Sequence, residues 1–134
     1  MEKEVTEMKE RIGCDAASVW MRDEEDENLL YPYIFLGPNS KALEGKVLDI
    51  HSGLCGYCVR NAKELVSNDM TVEKEWYSQM DEMTKYSTYN IVCLPIIVYD
   101  ECMGCIQLLN KEGGFNEDDL RECRKMVEFI IENL

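Results

Sequence analysis

Apolar residues dominate two neighbouring runs past the middle of the chain, residues 91–99 and 105–109, with the polar pair Asp100-Glu101 between them. Both runs are of strand length and rich in β-branched side chains. The polar break is short enough for a tight antiparallel turn. Neither run alternates with polar residues, so the hairpin they predict is central and covered on both faces. Gln107 is the one polar side chain inside the second run. A buried amide needs hydrogen-bond partners, so Gln107 reads either as a satisfied core group or as the wall of a pocket.

The remaining periodicities place the other elements. Val5, Met8 and Ile12 among charged neighbours predict an amphipathic helix over 1–12. Residues 16–21 and 29–36 read as strands, joined by the solvated acidic run 23–27, and 46–50 is a further short extended segment. Pro32 withholds one N–H from its strand and points to an edge or a bulge. Ser52 is placed to cap a short helix that carries Leu54, Cys55 and Cys58 inward. The first-turn N–H groups of such a helix attract anions. Residues 64–67 form another short strand, and 71–86 read as a helix with Trp76, Tyr77, Met80 and Met83. Asn116 with Asp119 three positions later echoes a capping box. It opens a C-terminal helix over 116–134 whose stripe is Leu120, Cys123, Val127, Ile130, Ile131 and Leu134. Met126 and Phe129 lie outside that stripe, as a subunit contact or as scattered surface apolars.

Composition narrows the function classes. Twenty-seven acidic residues against 14 basic ones give a net charge of −13, which argues against a nucleic-acid partner. A small anion remains open, because backbone N–H groups at a helix start can hold one. No apolar run reaches membrane-spanning length and the first residues are charged rather than signal-like, so a soluble, cytoplasmic protein without a membrane partner is expected. The seven cysteines then read as reduced thiols. Two short spacings, Cys55-Gly-Tyr-Cys58 and Cys102-Met-Gly-Cys105, would make a four-thiolate site if the fold joined them. Neither sits in a zinc-type knuckle, so packed small side chains are the simpler reading and no metal is expected. His51 is the sole histidine and reads as surface scaffold rather than a catalytic base.

An ordered series of short motifs carries a family resemblance. The stretch Cys14-Asp-Ala-Ala-Ser-Val-Trp20, then Ser52-Gly-Leu-Cys-Gly56 with Asn68-Asp69, then Asn90-Ile-Val-Cys-Leu-Pro-Ile96, and finally Gly104-Cys-Ile-Gln-Leu-Leu-Asn-Lys111 resemble the GAF domain over about residues 14–134. Asn110, Lys111, Phe115 and Asp119 match the structural signature of the regulatory GAF domains of cyclic-nucleotide phosphodiesterases and bacterial adenylyl cyclases, with Leu120 where that signature has glutamate. The resemblance implies an α+β fold. A GAF/PAS-like antiparallel sheet of five or six strands would carry the terminal helices on one face and a ligand pocket with short helices on the other. One domain is expected over 1–134, with the N-terminal helix at 1–12, sheet and pocket elements at 14–111, and the C-terminal helix at 116–134. A Lys111–Asp119 pair would tie the last strand to that helix.

The same resemblance implies a site. Ser18 falls on a purine contact, Phe35 on the aromatic that stacks over the base, and Leu36 on an acidic position near it. Cys55 falls on a small residue whose N–H reaches the phosphate, Thr84 and Thr88 on a loop closing over the ligand, and Gln107 on a glutamate facing the pocket. Two acids are therefore replaced. The leading expectation is a sensory domain for a small molecule, a cyclic nucleotide or another purine-like ligand, that forms a homodimer through its terminal helices and carries no cofactor and no catalytic residue. One alternative is a non-binding dimerisation or scaffold module, marked by a cavity filled by Trp20, Phe35 or Tyr86. The other is a cysteine-dependent free methionine-(R)-sulfoxide reductase, with Cys55, Cys93 and Cys105 as its candidate thiols.

Overall fold

The computed structural model describes residues 1–38, 40–69 and 88–134. Its elements run α1 (Glu2–Ile12), β1 (Cys14–Arg22), β2 (Leu29–Leu36), a short 3-10 turn (Ser40–Leu43), β3 (Leu48–Asp49), α2 (Gly53–Asn61), β4 (Leu65–Ser67), β5 (Ile91–Val98), β6 (Glu101–Lys111) and α3 (Glu117–Glu132). The strands form one antiparallel sheet in the order β3-β2-β1-β6-β5-β4. This is the α+β architecture expected from the sequence. The expected helix over 71–86 lies outside the described residues.

Alternation along each strand sorts the side chains into two cores. Ala17, Val19 and Met21 of β1, with Ile106 and Leu108 of β6, meet Val5, Met8 and Ile12 of α1 and Leu120, Cys123, Met126 and Ile130 of α3. Trp20 of β1, with Cys105 and Leu109 of β6, meets Leu54, Cys55, Cys58 and Val59 of α2. β6 lies between β1 and β5 with both faces covered, which is why its sequence is apolar on nearly every position.

Three details differ from the periodicity reading. The hairpin turns on Tyr99 and Asp100 rather than Asp100 and Glu101, because β6 begins at Glu101, which pairs with Val98; a bulge further along shifts the register between Ile96 and Ile97. The extended segment at 46–50 contributes only Leu48–Asp49 to the sheet. Met126 is buried in the helix-side core and Phe129 is partly buried against it, since α1 packs beside α3 and widens its covered face. Pro32, opposite Trp20, sits beside the register shift of β2 against β1, the kind of irregularity its missing N–H pointed to.

Two glycines are required by close approach. A Cβ on Gly56 would lie 2.3 Å from the Ile50 carbonyl oxygen, and one on Gly104 would lie 2.0 Å from that of Trp20. The first lets α2 fold back close to the turn that precedes it, and the second lets β6 run against β1.

Candidate functional site

Register places a row of site residues across the sheet. Phe35 of β2 faces Ser18 of β1, Ser18 faces Gln107 of β6, and Gln107 faces Cys93 of β5. Trp20, two residues after Ser18, points to the same face and is fully buried. The polar atoms of this row satisfy one another. Trp20 Nε1 donates to Ser18 Oγ at 2.9 Å, Ser18 Oγ donates to Gln107 Oε1 at 3.3 Å, and Gln107 Nε2 points at Cys93 Sγ at 3.9 Å. Gln107, 1% exposed, therefore has protein partners on both ends of its amide.

Ser18, Phe35, Leu36 and Gln107 share the wall of one cavity with Ala16 and Leu43. Its volume is about 20 Å³, room for one water molecule. The other expected site residues are placed apart from that wall. Cys55 lies in the first turn of α2 and is disulfide-bonded to Cys105 of β6. Thr88 precedes β5 and does not line the cavity. Thr84 lies outside the described residues.

The Cys55–Cys105 bond corrects the expectation of seven reduced thiols. The two residues are 50 apart in sequence, and packing of α2 on β6 brings their Cα atoms to 6.8 Å. Neither short spacing predicted this pairing, because each bonded cysteine comes from a different pair. Cys14, Cys58, Cys93, Cys102 and Cys123 are free and buried. Desolvation raises the pKa of all five, Cys14 to about 11 and Cys93 to about 12, so each is held as a neutral thiol. Among the described residues no group of three or more His, Cys, Asp or Glu side chains is arranged to hold a metal ion. His51 is exposed, and its Nδ1 lies 2.9 Å from Asp49 Oδ1. That contact, behind the His51 backbone N–H bond to the same carboxylate, lowers the Asp49 pKa. Ser52 is the N-cap of α2, but its side chain makes no capping bond.

A second polar cluster joins the sheet to α3. Lys111 Nζ lies 2.5 Å from Asp119 Oδ2, and Asp119 also closes a capping box with Asn116. Asn110, at φ 61°, accepts from the Tyr89 and Asn90 N–H groups, while the Asn90 side chain is bonded to the backbone of Lys111. Asn68 exchanges two hydrogen bonds with the Phe115 backbone. Residues 68 and 89–90 are thus both fastened to the connection between β6 and α3. Trp20 was expected at the site only as a cavity filler and Cys93 only as a candidate reductase thiol, and neither as a partner in a polar row with Gln107. Trp20's spacing of two from Ser18 was the available signal, whereas Cys93 depends on the register of β5.

A GAF domain family model matches residues 3–130. The chain is 24% identical over 112 residues to the probable 3',5'-cyclic phosphodiesterase pde-5 of Caenorhabditis elegans, covering 77% of this chain and 15% of that protein. It thus spans only a small part of this curated relative. The GAF domain from a phosphoenolpyruvate-protein phosphotransferase of Coxiella burnetii superposes with a TM-score of 0.82 at 19% identity, over 94% of this chain and 74% of that one. A type II free methionine-R-sulfoxide reductase of Thermoplasma acidophilum gives 0.81 at 16% identity, over 98% and 87%. At such identities the structural likenesses speak for the fold alone.

Proposed function

The chain belongs to the GAF-domain family, and on that premise we propose that it is a regulatory module of a signalling protein whose interior is closed by its own side chains. The observation that carries this reading is the Trp20–Ser18–Gln107–Cys93 row. It leaves no polar group of Gln107 waiting for a ligand, beside a cavity of about 20 Å³. Such a module works through its surfaces. α1 and α3 lie together on one sheet face, and a homodimer through these terminal helices is the assembly this reading expects. Sedimentation of the wild type should show a dimer, and a strict monomer at micromolar concentration removes that part of the proposal.

Small-molecule sensing is the second reading. It is favoured by the phosphodiesterase relative and by the meeting of Ser18, Phe35, Leu36 and Gln107 at one cavity. A purine would have to displace the indole of Trp20 or open the wall. Calorimetry with cyclic nucleotides, free purine nucleotides and methionine sulfoxide separates the readings. No heat is expected with any of them. Micromolar binding of a nucleotide that is lost in Gln107→Leu would replace the scaffold reading with sensing. Turnover of methionine sulfoxide would favour the reductase reading, for which the bonded pair Cys55–Cys105 is the redox candidate, since desolvation holds free thiols such as Cys93 protonated.

A further inference from the structure

The turn joining β5 and β6 holds Tyr99 and Asp100 at φ 51° and 67°. Turns of this hand favour Asn and Gly, and a bulky L side chain is strained there. The Tyr99 ring is 97% exposed, so no packing against the described residues offsets that strain. It stands on the rim of a groove of about 660 Å³. Tyr31 and Tyr33 of β2, both exposed, line the same groove, as do the thioethers Met21 and Met103.

Its rim is acidic. Glu24 and Glu101 border the groove, Glu24 belongs to the run 23–27 of five consecutive acids, and neither forms an ion pair with a described residue. Arg22 also borders it, but alternation turns its side chain away from that of Met21. It stands opposite Leu30 and acts on Cys102, on the α2 face of the sheet.

We propose that this groove docks a basic amphipathic segment of a partner protein. Methionines adapt to irregular aliphatic surfaces and tyrosines act as rigid anchors. Unpaired acids beside exposed rings attract lysine and arginine, by charge and through the ring faces. A second copy of this chain is a poor occupant of this groove, because groove against groove would set Glu24 and Glu101 against the same acids. The inference is independent of whether the interior cavity takes a ligand.

The test uses a fluorescent peptide of about 14 residues built from leucine and lysine with helical spacing, and its leucine–glutamate counterpart. Fluorescence anisotropy should show micromolar binding of the lysine peptide, weaker at higher salt, and none of the glutamate peptide. Tyr33→Ala with Tyr99→Gly changes no charge and should weaken binding about tenfold. Tyr99→Gly alone, which relaxes the turn, should give a smaller loss in the same direction. Tyr89→Ala, an exposed tyrosine outside the groove, should leave binding unchanged. Equal affinity of wild type and both groove variants would mean attraction to the overall charge only and would overturn the proposal. So would equal binding of the glutamate peptide, or a dimer in sedimentation that the groove variants dissociate.

Discussion

At the scale of single residues, Gln107 separates a filled core from a binding wall. Because its amide is bonded to Ser18 and Cys93, Gln107→Leu should leave the Ser18 hydroxyl without its acceptor and cost about 1–3 kcal/mol. Urea denaturation measures this, and an unchanged midpoint would show that the row contributes nothing. Tyr99→Gly should act in the opposite direction, stabilising by about 0.5–1 kcal/mol, because glycine adopts positive φ without strain. A lower melting temperature for that variant would contradict the strained-turn account. The buried thiols set an alkaline limit. Above pH 9.0 the unfolded chain loses thiol protons that folded Cys14 and Cys93 keep until about 11 and about 12. The native state then binds more protons than the unfolded one, so stability falls as pH rises through that window. Denaturation midpoints should be flat from neutrality to about pH 8.5 and decline beyond it.

At the scale of elements, the join between β6 and α3 concentrates its polar support on one carboxylate. Asp119, 6% exposed, both pairs with Lys111 and closes the capping box. Asp119→Ala should cost about 3 kcal/mol, since a mostly buried ammonium loses its partner and the helix loses a cap. Hydrogen exchange in the first turn of α3 should rise in the variant, and an unaltered pattern would refute this assignment. The elements themselves were legible where one rule dominated. Val5, Met8 and Ile12, and Asn116 with its stripe, marked α1 and α3 because a 3.6-residue period over a capped segment has few other solutions. The turn at Tyr99 was misplaced by one residue because the apolar Tyr99 reads as part of the strand and the acidic Glu101 as part of the turn. Glu101 instead pairs with Val98, and Tyr99 is exposed.

At the scale of the whole molecule, one covalent bond links a helix of the second core to the central strand. Closing a loop of 50 residues by Cys55–Cys105 should stabilise the fold by up to about 4 kcal/mol. The wild type should therefore lose stability on adding reductant, while Cys105→Ser should be less stable and indifferent to it. A reductant-insensitive wild type would show that the bond does not form in solution. The α+β class was implied by the GAF resemblance of the sequence motifs, while periodicity by itself determined the two amphipathic terminal helices and the doubly covered strand around Gln107. Those elements follow from local periodicity, which any packing of this chain must respect. The tertiary structure alone decided that Trp20 and Cys93 flank Gln107, that Cys55 meets Cys105 rather than Cys58, and that Met126 is buried. Those facts depend on strand register, on the docking of α2 against β6, and on α1 lying beside α3. These long-range contacts form between residues whose spacing in the sequence carries no trace of them.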